Sequence, residues 1–257
     1  MLTGDKRIYF IMTKPASVVP LMDYSIYSGD LSDCFTGSKV LINTINQYSY
    51  CIAEKDLDFK KALLDSDILL PDGVGIISAV RLLTHKTIKK IAGADIHQFL
   101  LANLNKKGGT CFYLGSSQNT LNRIASRVSD EFPNIKLSTF SPPYKDEFSP
   151  CDIKKMLDEV NGFKPDVLFV GMTAPKQEKW SNMYKNELDV KLICSIGAVF
   201  DFYADTIARP SNFWINIGLE WFVRLVKEPK RMWKRYLYYG PVFIKLILEK
   251  KIKSIFK

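Results

Sequence analysis

Six short apolar runs, each followed by a turn and a longer amphipathic stretch, set the tightest constraint on how this chain can fold. The runs are Lys39–Asn43, Asp67–Leu70, Thr110–Leu114, Ile135–Phe140, Asp166–Val170 and Lys191–Ser195. Between them lie Gln47–Leu64, Val74–Leu83, Asp95–Asn105, Asn119–Glu131, Ile153–Val160 and Pro175–Lys185, which read as helices. Parallel strands need crossovers of about a dozen residues or more, and short apolar strands separated by helices supply them. The pattern predicts an α/β protein with a Rossmann-like, mainly parallel sheet flanked by helices.

After Ser195 the alternation stops and only helical signals follow. Pro210 can open one helix running through Trp221 to Val226, and Pro229 another running toward Tyr239 before a Gly240-Pro241 break. This divides the chain into a core, residues 1–209, and an all-helical appendage, residues 210–257. The first 35 residues carry no clear pattern.

Charge marks the same division. Arg224 to Lys257 holds 11 Lys and Arg against Glu228 and Glu249, and so carries the whole net charge of +9. A neutral body with a cationic end points to an anionic partner: a lipid surface, a phosphate-rich ligand or a nucleic acid. Bulky apolar residues, among them Trp233, Tyr236, Phe243, Ile247 and Phe256, are mixed into that end. No apolar run approaches the roughly 18 residues that span a bilayer. Met1 to Arg7 is charged and Lys14-Pro15 breaks the next apolar stretch, which argues against a secretory signal and for a cytoplasmic protein.

Five widely spaced cysteines without a CxxC pair argue against a disulfide framework or zinc site. His85 and His97 lack a spacing partner for a metal, and no G-x-S-x-G elbow supports a serine hydrolase.

The candidate chemistry lies at the carboxyl ends of the expected strands, where open α/β sheets bind ligands. Asp72 follows one strand through Pro71 and precedes Gly73-Val74-Gly75. It reads as a ligand-binding or catalytic carboxylate, as a plain Asp-Gly turn, or as part of an incomplete dinucleotide fingerprint whose third glycine position is Ser78. Gly171 to Trp180 leaves another strand, and its free N–H groups could face an anion with Lys176 and Gln177 beside them; a capped surface helix reads equally well. Ser116 or Ser117 could cap the next helix or bind phosphate, the cap being the plainer reading. Tyr144 and Asp201 stand at the same rim.

Taken in order, Asn43-Thr44-Ile45-Asn46, Leu70 to Gly75, Ala92-Gly93-Ala94-Asp95, Pro175 to Trp180, Gly197 to Phe202, Arg209-Pro210, Gly218 to Leu225 and Glu228-Pro229 resemble the WecG/TagA/CpsF glycosyltransferases. The resemblance runs from about Val40 to Tyr236. It implies inverting transfer of a sugar, N-acetylmannosamine or a related hexose, from a UDP-sugar to a polyprenyl-diphosphate-linked saccharide in cell-surface polymer synthesis. It implies no cofactor and no essential metal. Asp72 matches the general base, and Thr44, Asn46 and Gln177 match polar pocket residues. Tyr144 and Asp201 match positions near the uridine, and Arg224, Arg231, Lys234 and Arg235 match a basic segment that covers the pocket. Lys90 stands where the family usually has arginine, and Ala204-Asp205 where glycine often follows. The implied location is the inner face of the bacterial plasma membrane, with Lys245 to Lys257 as a membrane foot. No nucleic acid is then expected as a partner, and a homo-oligomer is allowed. The rivals are a nucleic-acid-binding α/β protein with a basic aromatic tail, a nicotinamide-dependent oxidoreductase and, for the tail alone, a solvated helix packed on the body.

Overall fold

The computed structural model describes residues 17–33, 39–207, 210–211, 213–214 and 217–255. An antiparallel hairpin, β1 (Val18–Leu21) and β2 (Tyr24–Tyr27), precedes a six-stranded parallel sheet. The sheet strands are β3 (Val40–Ile45), β4 (Ile68–Pro71), β5 (Thr110–Gly115), β6 (Lys136–Phe140), β7 (Val167–Gly171) and β8 (Leu192–Ser195), in spatial order β4-β3-β8-β7-β5-β6. Every pair in it is parallel. All the strands expected from the sequence are present, and β4, β7 and β8 are buried along their whole length. Uninterrupted apolar runs are what a sheet covered on both faces requires. From β3 the chain moves to the edge strand β4, crosses to β5 and the opposite edge strand β6, then returns through β7 and β8 to fill the middle. The carboxyl ends of β3, β4 and β8 thereby open onto one crevice.

The helices are α1 (Gln47–Ala53), α2 (Leu57–Leu64), α3 (Val74–Thr84), α4 (Gly93–Lys107), α5 (Gln118–Glu131), α6 (Pro150–Phe163), α7 (Lys176–Tyr184), α8 (Val199–Tyr203), α9 (Glu220–Lys227), α10 (Pro229–Trp233) and α11 (Tyr239–Ile255). The single helix expected over Gln47–Leu64 is two helices, because Asp56 accepts the Phe59 N–H at 3.0 Å and starts α2 afresh. Ser117 caps α5 by accepting the Thr120 N–H at 3.2 Å, which is the plainer of its two readings. His97 is buried with its Nε2 2.8 Å from the Tyr113 hydroxyl.

The C-terminal segment departs most from expectation. The helix foreseen from Pro210 to Val226 is, among the described residues, the shorter α9, while Pro229 does open α10. Arg209, the last residue of the expected core, lies outside the described residues. Gly240-Pro241 does not break the chain. Pro241 has no N–H for the carbonyl four residues back, and the preceding turn, Lys234–Tyr238, takes π form with the Tyr239 N–H bonded to Lys234 O. α11 then lies across α1 and α3, with Phe243 and Ile247 buried in the cluster that holds Leu21, Tyr24, Tyr50 and Ile76. The Tyr24, Tyr50 and Phe243 rings meet edge to face at 5.7 and 5.4 Å, so the hairpin, α1 and α11 share one core.

Two glycines fix the middle of the sheet. Gly115 and Gly171 stand opposite each other at the ends of β5 and β7. A Cβ on Gly115 would lie 2.4 Å from Gly171 O, and one on Gly171 2.4 Å from the Phe200 ring. Glycine at 115 lets β5 end tightly against β7, and glycine at 171 lets Phe200 of α8 come down on the strand end.

Candidate active site

The crevice at the carboxyl ends of β3, β4 and β8 is lined by Thr44, Asn46, Asp72, Lys90, Ala198 and Phe202 from the core. Glu220, Trp221, Arg224, Arg235 and Tyr236 of the C-terminal segment close it. Each wall follows from local structure. Asn46 caps α1 by accepting the Tyr48 and Ser49 N–H groups at 3.0 Å, which fixes the turn after β3. Asp72 follows β4 directly, its N–H held by Ile45 O at 2.9 Å, and Gly73 takes φ +91° so that α3 can turn away beneath it. Gly93 opens α4 where a Cβ would press on Val199 at 3.1 Å, so the α4 and α8 ends meet closely.

Asp72 is the electrostatic centre. Burial pushes its carboxyl up to about 6, Lys90 and Arg224 pull against that shift, and Glu220 and Asp95 add to it. Among the described residues no hydrogen bond fixes that carboxyl. Lys90 Nζ lies 2.6 Å from Glu220 Oε2. Arg224 lies over the Phe202 ring at 5.1 Å, and its Nε and Nη2 are buried without a hydrogen-bond partner among the described residues. Arg235 stacks on Tyr48 at 4.8 Å, and Trp221 meets Tyr236 at 5.9 Å. Buried guanidinium donors without acceptors are costly unless an anion arrives.

Six of the residues singled out from the sequence, Thr44, Asn46, Asp72, Lys90, Arg224 and Arg235, thus line one pocket. Five lie elsewhere. Tyr144 is fully exposed in the loop after β6. Gln177 is buried beneath the pocket: its Oε1 accepts the Met172 N–H at 3.2 Å, and its amide lies 3.1 to 3.2 Å from where a Cβ on Gly197 would sit. It therefore supports the turn that carries Ala198. Asp201 and Arg231 form a second charged group beside α10, where burial raises the Asp201 carboxyl, Arg231 opposes that, and Arg231 also pairs with Glu228 at 2.7 Å. Lys234 is exposed on the π turn. Lys176 turns away from the pocket, donating to Lys145 O and lying over Phe148.

Sequence reasoning missed Glu220, Trp221, Tyr236 and Glu178. Glu220 and Arg224 are four residues apart and share one face of α9, a spacing visible in the sequence once the helix start is known. Glu178 is 2% exposed; burial raises its carboxyl to about 7 while the Gln177 amide and Arg235 hold it down. Among the described residues no three His, Cys, Asp or Glu gather as a metal-binding group.

A sequence model described as "Glycosyl transferase WecG/TagA/CpsF family" matches residues 28–256, both the sheet and the segment that closes the pocket. The chain belongs to this family. A protein of Bacillus subtilis (strain 168), N-acetylglucosaminyldiphosphoundecaprenol N-acetyl-beta-D-mannosaminyltransferase, is 32% identical over 84% of this chain and 82% of its own length. Its namesake in Bacillus spizizenii (strain ATCC 23059 / NRRL B-14472 / W23) is 28% identical over 70% of this chain and 67% of its own. The protein is a glycosyltransferase, and its family match covers the residues that line the crevice.

Proposed function

We propose that this glycosyltransferase moves N-acetylmannosamine, or a closely related hexose, from a UDP-sugar to polyprenyl-diphosphate-linked N-acetylglucosamine. The observation that carries the reading is the pairing of a part-buried, unfixed carboxyl at Asp72 with buried, unpartnered guanidinium donors at Arg224 in one pocket. The acceptor hydroxyl oxygen attacks the anomeric carbon from the face opposite the diphosphate, and its proton passes to Asp72. The bond from anomeric carbon to diphosphate oxygen breaks, UDP leaves as an anion, and the configuration inverts. Arg224 and Arg235, with Lys90, neutralise the leaving diphosphate. Guanidinium forks suit two phosphates and stay charged at any physiological pH. Thr44 and the Asn46 amide face the sugar. Tyr144 would come to the uridine only by movement of its loop and Asp201 by a shift of α8, and Arg231 and Lys234 extend the basic wall outward. We propose that these cations take the role that a divalent ion has in other transferases.

The same reading puts the protein at the inner face of the plasma membrane. No helix among the described residues is long and apolar enough to cross a membrane. The outward side of α11 carries Ile244, Leu248 and Ile252 at helical spacing, all about half exposed, among the exposed Lys245, Lys250 and Lys253. One basic residue at an anionic surface contributes on the order of 1 kcal/mol, so such a face supports reversible attachment of the lipid-linked acceptor's enzyme.

Calorimetric titration with UDP in excess EDTA tests the donor class. Binding in the micromolar to millimolar range that survives the chelator is expected, and binding that appears only with a divalent ion would contradict the cation role given to the arginines.

A further inference from the structure

We infer that Glu220 is a positioning residue: with Lys90 it forms a charged clasp that seats α9 over Asp72 and so aims Arg224 into the pocket. This rests on the reading of that pocket as a diphosphate site. No residue of α9 is fully buried and its apolar Trp221, Val223 and Leu225 are only half-buried, so apolar burial holds it weakly. Its large apolar groups Phe222 and Val226 are exposed, 46% and 65%, and face away from the core. What ties it to the core is polar or close-range. The Lys90–Glu220 ion pair spans 2.6 Å with both side chains about one-fifth exposed, and Gly218 just before the helix takes φ +76° with its Cβ position 3.2 Å from Val74. Arg224 follows Glu220 by one turn on the same face, over Phe202. Seating the first turn through Lys90 therefore sets where the guanidinium points.

The ion pair is well suited to a clasp that a ligand can reorganise. With both side chains about one-fifth exposed the pair still meets solvent and the pocket, so it orders the helix and stays within reach of a ligand. A diphosphate entering the pocket offers Lys90 and Arg224 a second anion, and Glu220 can then release Lys90 while α9 is held by the ligand. Glu220 does more than hold the helix. Lys90, Glu220, Arg224 and Asp95 act on the Asp72 carboxyl, with Arg235 and Tyr236 in the same pocket, and Glu220 pushes that carboxyl toward the protonated form. The clasp thus holds a cation and an anion beside the base, Lys90 lowering its carboxyl and Glu220 raising it.

Amide hydrogen exchange on the full chain tests the clasp independently of catalysis. Glu220→Gln and Lys90→Met are each expected to speed exchange in α9 by about 3- to 10-fold, with α11, anchored by Phe243 and Ile247, unchanged. The double exchange Lys90→Glu with Glu220→Lys is expected to return α9 to within about 2-fold of the wild type. Unchanged α9 exchange in both single variants, or a double variant no better protected than either, would overturn the inference. In a transfer assay Glu220→Gln is also expected to move the acid limb of the pH–rate profile to lower pH, and an unmoved limb would count against it. Should the wild type form no glycoside at all, the pocket reading fails, while the exchange data still decide whether Lys90 and Glu220 seat α9.

Discussion

Asp72→Asn is expected to lower the turnover number by about 100-fold or more while changing UDP affinity only slightly. Asparagine keeps the size of the side chain and the β4 turn but cannot accept the acceptor's proton. The same substitution has a stability signature of opposite sign. The folded-state value of about 6 lies above the unfolded value of roughly 4, so the native state holds the extra proton between them. Its contribution to stability is full below about pH 4 and is lost as pH rises through about 6, at a cost on the order of 1–3 kcal/mol. The Asn variant avoids that loss. It should melt at higher temperature than the wild type at pH 7.5 and at a similar temperature at pH 4. The same titration sets the wild-type activity, which should rise with pH through an apparent value near 6. A variant that retains near-wild-type turnover would remove Asp72 from the role of base, and one that melts lower at pH 7.5 would contradict the raised carboxyl.

Arg224→Met is the second large effect. Losing a charge-assisted donor to a departing anion typically costs about 100-fold or more in rate. Methionine keeps most of the apolar stem over Phe202 and removes the two buried, unpartnered nitrogens. Stability should therefore hold or rise while kcat/KM falls. Arg224→Lys should lie between, since it keeps the charge and loses the fork. Equal activity in all three proteins would mean that the guanidinium does not meet the diphosphate. A point variant is the better instrument here than truncation at Arg224. Truncation would also strip Met232, Phe243 and Ile247 from buried positions and unseat the hairpin and α1, confusing lost chemistry with lost fold.

The legible and illegible parts of this chain separate along physical lines. The parallel strands were visible because both faces are buried and their apolar runs end in turns, and the helices after them because crossovers must be long. Asp72 was visible as a carboxylate just past a strand, though the residues alone left three readings open. The hairpin Val18–Tyr27 was hidden because Pro20 interrupts its first strand, a position tolerated only where a strand edge is free. The helix break before Asp56 looked like continuous amphipathic sequence until the cap was seen. The tail misled most. It is helical as expected, but its Gly240-Pro241 suggested a division, whereas the chain passes through a π turn there and buries Phe243 and Ile247 against α1. Glu220 was passed over because its significance is a distance, 2.6 Å to a lysine 130 positions earlier, that no local pattern encodes.

The nucleic-acid reading accounted for the basic tail alone. In the structure the inner part of that tail, Arg224 and Arg235, turns into the same pocket as Asp72, and its outer part carries the lysine-flanked apolar face of α11.

The most direct measurement offers the purified full-length protein a panel of UDP-sugars with a short-chain polyprenyl-diphosphate N-acetylglucosamine acceptor and reads the product by mass spectrometry. The account predicts that the acceptor gains one N-acetylhexosamine residue with UDP-N-acetylmannosamine, in β linkage, and that the Asp72→Asn protein gives almost none. An acceptor left unmodified by every UDP-sugar in the panel, under conditions where the protein is folded, would contradict it.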